Sequence, residues 1–137
     1  NYADFRWRTA LPADYRLQLG AQAMYQSGVG QRLLTALPMS TWSGGLKADL
    51  THGGATATLA YQQTGSGANY QTPYSGWAGY TYMIVKSFNL ADMKAWLLGG
   101  TYDFGAQGVP GLVLNANLVH GYDAINPSTR AAQPNWT

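Results

Sequence analysis

Apolar and polar residues alternate along most of this chain with a period of two, and clusters of Gly, Pro and Asp interrupt the alternation. That pattern predicts β-strands whose two faces meet different surroundings. Residues 2–9 set Ala3, Phe5, Trp7 and Thr9 against Tyr2, Asp4, Arg6 and Arg8. Residues 15–26 set Tyr15, Leu17, Leu19 and Tyr25 against Arg16, Gln18, Gly20 and Gln22. Residues 41–51 oppose Trp42, Leu46 and Leu50 to Ser43, Lys47 and Asp49, and residues 55–63 oppose Leu59 and Tyr61 to Thr56, Thr58 and Gln62. In residues 94–104 the greasy side reads Trp96, Leu98, Tyr102, Phe104 and the other side is small until Asp103. Residues 112–120 place Leu112, Leu114, Ala116 and Leu118 opposite Val113, Asn115, Asn117 and Val119.

Counted from Trp96 in the fifth segment, the apolar faces carry no charge, while the polar faces carry Asp4, Arg6, Arg8, Arg16, Lys47, Asp49 and Asp103. A water-soluble sandwich would also show this, with its apolar faces meeting in a core. Three features separate the two. The segments run to about ten residues, the length of a tilted membrane strand, against roughly five or six for globular strands. Aromatic residues gather near the ends of the apolar faces, as the girdles of a lipid-facing barrel do. Connections alternate between tight ones ("ALPAD", "HGG", "GAQGVPG") and long ones over 27–40 and 64–93, which matches short turns on one side of a membrane and long outer loops on the other.

Tyr80–Phe88 has strand propensity, but a spanning strand there would move "GAQGVPG" to the long-loop side. It is therefore read as an extended piece within one outer loop over 64–93. Six antiparallel strands are too few to close, since single-chain barrels start at about eight, and an open edge in lipid leaves each unpaired backbone group costing several kcal/mol. The fold class is thus all-β, an antiparallel transmembrane β-barrel present in part. The whole of 1–137 is expected to be one partial barrel domain, and its opening "NYADFRWRTA", with no apolar signal region, suggests a piece of a longer sequence.

Composition sharpens this picture. Charged residues make up 10% of the chain, Glu is absent, and there are 17 Gly, ten Tyr and five Trp; a water-facing surface normally draws on about 25% charged residues. A net charge of +2 is too small and dispersed for nucleic acid. No apolar run approaches the ~20 residues of a membrane helix, and no cysteine is present for thiol chemistry. His52 and His120 stand without a second ligand at metal-binding spacing, "GSGANYQ" precedes no helix that would hold a phosphate, and no triad context is visible. No cofactor or metal is expected, and no enzyme.

The stretches "TWSGGLKADLTHGGATATLAYQQTGSG" (41–67), "TPYSGWAGYTYMIVKSFN" (72–89) and "KAWLLGGTYDFGAQGVPGLVLNANLVHGYD" (94–123) resemble the OprD family of outer-membrane porins. The resemblance implies an internal to C-terminal portion of a barrel of about eighteen strands, in the outer membrane of a Gram-negative bacterium, in contact with lipid bilayer and lipopolysaccharide. Porins are often trimers, so a homotrimer is a possible assembly. It also implies a row of basic lumen side chains that guides carboxylate-bearing solutes past a constriction built by infolded loops. By face and residue type, Arg6, Arg8, Arg16 and Lys47 can supply that row beside Asp49, with Lys86, Ser87 and Tyr82 on the loop. Relatives passing basic amino acids tend to carry an acid near "KSF", where this chain has Lys86-Ser87; that leans toward BenF-like channels for aromatic acids. Asn117 replaces a basic residue common after "PGL", so the row is drawn differently here.

A strand rise of ~3.3 Å puts Arg6 and Arg8 about 7 Å apart on one face, close enough for a carboxylate to pass from one planar guanidinium to the next. Lys86, at the narrowest point, is expected to meet the anion with Tyr80 and Tyr82 beside it. Other readings remain: the same residues can simply solvate a wide pore, a porin of this kind can serve basic amino acids or peptides, and a soluble sandwich can bind carbohydrate through Trp42 and Trp77.

Overall fold

The computed structural model describes residues 1–28, 39–72, 78–83 and 86–137. Trp77 and most of 27–40 lie outside that set. Among the described residues six strands form one sheet in sequence order: β1 (Tyr2–Ala10), β2 (Arg16–Ser27), β3 (Ser40–His52), β4 (Ala55–Thr64), β5 (Lys94–Asp103) and β6 (Val113–Tyr122). Every neighbouring pair is antiparallel. Adjacent strands joined by tight turns give this meander its register, and each strand's alternation then falls into lateral rows.

One row on the apolar side reads Trp7, Leu19, Ala48, Leu59, Leu98, Leu118 from β1 to β6. Nothing in the described chain covers it: Leu46, Leu59, Leu98 and Leu114 are 63%, 59%, 54% and 57% exposed. No second sheet stands against that side among the described residues, where a sandwich would place one. A contiguous apolar surface of this breadth is stable where hydrocarbon takes the place of water.

The buried residues sit on the opposite side. Ala60, Ala95, Leu97 and Val119 of β4–β6 pack with Phe88, Met93 and Ala124, which arrive from the segments following β4 and β6. Gly121 makes this possible, because a side chain there would meet Met93 Cε at 2.5 Å and Phe88 Cδ1 at 2.7 Å. The described parts of the long connection after Thr64 therefore fold back over the polar face of the sheet. No spanning strand forms between β4 and β5 in the described residues; the piece near Tyr80–Phe88 contributes one isolated bridge, Met83 with Lys86. Complete burial of side chains such as Phe88 and Met93 contributes roughly 1.5–3 kcal/mol each, so apolar packing anchors the loop.

Two features of β5 differ from the reading by alternation. β5 stops at Asp103 because the Asp103 carboxylate caps the following 3-10 turn (Phe104–Gln107), accepting from the Gly105 N–H at 2.8 Å. Gly108 closes that turn at φ 85°, a left-handed conformation that costs glycine little. Lys94 is the second case: by parity it shares the apolar side with Trp96 and Leu98. It stands at the long-loop end, where its Nζ meets Asp123 Oδ2 at 2.7 Å.

Candidate functional site

The polar faces of the six strands form a shallow wall. Its central row runs Arg8, Gln18, Asp49, Thr58, Gly99, Asn117, and the next row toward the long loops runs Arg6, Gly20, Lys47, Ala60, Leu97, Val119. Between the infolded loop and the short turns lies a concavity of about 810 Å³. Arg8, Arg16, Lys47 and Asp49 border it on β1–β3, Thr58, Thr101, Asn115 and Asn117 border it on β4–β6, and Tyr80 hangs over it from the loop.

The charges are unequally engaged. Lys47 Nζ lies 3.1 Å from Asp49 Oδ2, and the other oxygen of Asp49 accepts from Thr58 Oγ1 at 2.6 Å. Arg8 spends only its Nε, donated to Gln18 Oε1 at 2.6 Å, which leaves the two terminal nitrogens of its fork free to bind. Arg16, at the short-turn end, has no side-chain partner among the described residues. Three cations and one carboxylate thus face the same space. On the other side Asn117 Nδ2 donates to Asn115 Oδ1 (2.7 Å), and Asn115 Nδ2 donates to Thr101 Oγ1 (2.9 Å), a neutral chain of amides and a hydroxyl.

Two of the basic residues singled out in the sequence stand apart. Arg6 donates to Asp4 Oδ1 at 2.9 Å, and Asp4 also accepts from Tyr2 (2.9 Å) and Tyr80 (3.4 Å); Tyr2, Asp4 and Arg6 lie toward the long loops and do not border the concavity, to which Tyr80 links them. Lys86 is half-buried with its Nζ 3.5 Å above the centroid of the Trp136 ring. Ser87 follows it, half-buried, and Tyr82 is 44% exposed. An ammonium seated on an aromatic face is attracted by the ring's negative face, so the Trp136 ring holds Lys86 in place.

Alternation alone did not single out the buried polar cluster that holds the loop. Gln62 Oε1 accepts from the Tyr80 backbone N–H at 3.1 Å and from Gln22 Nε2 at 2.8 Å, while Gln62 Nε2 donates to Ser43 Oγ at 2.7 Å. With its amide oxygen and nitrogen exchanged, Gln22 instead donates to the Ala78 carbonyl at 3.2 Å. Gly45, between the two glutamines in the row, leaves the space that the Gln62 amide fills. The available signal was two long amides on one face flanking a glycine. Burial, and then the charge on Asp4, push the Tyr80 phenol above its ordinary pKa.

A sheet that turns leucines outward and charge inward, with a loop folded onto its polar side, is the wall of a transmembrane β-barrel channel. The model of the outer membrane porin, OprD family, matches residues 1–137. The chain belongs to that family, whose members are channels of the Gram-negative outer membrane. Among solved structures it is similar to Pseudomonas aeruginosa OpdL (TM-score 0.85, 20% identity, 96% of this chain and 36% of that one). It is also similar to P. aeruginosa OpdK solved with vanillate (TM-score 0.83, 22% identity, 93% and 34%). P. aeruginosa OccK2 (OpdF) in complex with glucuronate gives a TM-score of 0.81 at 18% identity, over 90% and 33%. The chain spans about a third of the length of these structures. No curated protein matches it.

Proposed function

We propose that this chain forms the basic sector of a porin wall along which small carboxylate-bearing solutes diffuse. The observation that carries this reading is the concavity in which Arg8, Arg16 and Lys47 face Asp49 as the only carboxylate among its described lining residues, with that acid already engaged by Lys47 and Thr58. A channel needs no bond chemistry; it needs sites favourable enough to enter and weak enough to leave. Arg8 and Arg16 offer open guanidinium forks, suited to passing a carboxylate from one to the other. The structures solved with vanillate and with glucuronate support the carboxylate class. Against a basic amino acid route stands the state of the acids: Asp4 and Asp49 are both occupied by donors, so neither is open to a cationic solute.

Reconstitution of the complete barrel in planar bilayers tests this. Reversal potentials under a salt gradient should show anion preference, and liposome uptake should rank benzoate and glucuronate above arginine. Cation preference, or arginine entering faster than either acid, would overturn the reading.

A further inference from the structure

Gly20 lies in the middle of β2, opposite Arg6 on one side and Lys47 on the other. A side-chain carbon placed there would lie 2.7 Å from Tyr80 Oη and 3.3 Å from its Cζ, so the phenol occupies the place a residue at 20 would fill. The rest of Tyr80 has little freedom to retreat. Its backbone N–H is held by Gln62, which is held in turn by Ser43, and its hydroxyl reaches Asp4 Oδ2 at 3.4 Å. Gln22, Gln62 and Ser43 are almost completely buried, and breaking a buried bond leaves an unsatisfied polar group at a cost greater than the bond itself.

We propose that Gly20 is a specificity-determining position, an empty slot that seats Tyr80 and thereby sets how far the infolded loop stands from the basic wall. The seat has two effects. It fixes the width of the passage between the loop and β1–β3. It also brings a neutral donor onto Asp4, so that this carboxylate, already met by Tyr2 and Arg6, presents less bare negative charge to a passing anion. Gly20 touches no solute; it acts through Tyr80. The proposal deepens the carboxylate-channel reading and rests on it only for the second effect.

The test uses the complete barrel with Gly20→Val, Tyr80→Ala, their double mutant and Tyr80→Phe, each checked for folding by heat-modifiable gel migration. Single-channel conductance in planar bilayers should rise about twofold in Gly20→Val and in Tyr80→Ala, and the double mutant should match Tyr80→Ala alone. Tyr80→Phe keeps the ring and loses the hydroxyl, so conductance should hold while the reversal potential moves toward cations. Unchanged conductance in Gly20→Val, or effects that add in the double mutant, would overturn the role of Gly20. If Gly20→Val does not fold, Tyr80→Ala decides, since an unchanged conductance there refutes a passage set by the seated ring. A wild-type barrel that prefers cations while these conductance changes appear would refute the carboxylate reading and leave the seat standing.

Discussion

The ammonium of Lys86 sits 3.5 Å over the centre of the Trp136 ring, which joins the infolded loop to the segment that folds back along β6. Trp136 is itself fixed by two backbone bonds with Gly121, at 2.8 and 2.9 Å. A partly desolvated contact of this kind contributes about 0.5–2 kcal/mol. Replacing Trp136 by Ala should therefore loosen the loop and raise amide hydrogen exchange near residues 86–93 several-fold. Lys86→Ala should leave carboxylate uptake within about twofold of wild type, since its ammonium stands on the ring and does not border the concavity lined by Arg8, Arg16 and Lys47.

Arg8 and Arg16 present the least engaged cations of the wall. Arg8→Ala with Arg16→Ala should lower uptake of dilute benzoate or glucuronate roughly tenfold, equivalent to about 1.4 kcal/mol in the barrier. Arg6→Ala should do much less, because Arg6 is committed to Asp4. Liposome uptake assays on the three variants separate these outcomes.

Leu59 and Leu98 are direct partners in the outward row. Either one changed to Arg should destabilise the membrane-inserted state by about 2–4 kcal/mol, the cost of a cation near the bilayer midplane. Asn117→Arg, on the opposite side of the same sheet, should cost far less. Urea titration of folding into lipid vesicles measures the difference.

The Tyr80 phenol is favoured in its neutral form when seated, because burial and the Asp4 carboxylate both oppose its ionisation. The sign follows directly. Below the ordinary tyrosine pKa of about 10 seated and released loops carry the same proton, and seating is independent of pH. Above it the released form ionises first and is stabilised, so the loop should loosen at strongly alkaline pH. Tyrosinate absorbance and single-channel noise should change together for wild type, and Tyr80→Phe should lose that alkaline step in the noise.

Period-two alternation was enough to set Leu46, Leu98 and Leu114 on one face and Lys47 and Asp49 on the other, because a strand gives each residue only two directions; strand length and the placement of the aromatics were needed to say which face meets lipid. It was enough to place Lys94 as well, but the apolar face was counted from Trp96, and the lysine at its end was passed over. The loop is another matter. Tyr80 with Gln62, Tyr80 with Gly20, and Lys86 with Trp136 join residues far apart in the chain, in segments that follow no repeat. Asp103 ended a strand for a local reason, its cap on Gly105, which the run of aromatics through Phe104 concealed.

The cations of the concavity stand on β1–β3 and its uncharged amides and hydroxyls on β4–β6. Among the described residues the charge therefore changes sideways across the concavity, from one bank to the other. On the carboxylate-channel reading proposed above, an anion would be drawn to the charged bank and hop along it while small inorganic ions used the middle of the stream, so that crowding on the bank would saturate the first traffic without throttling the second.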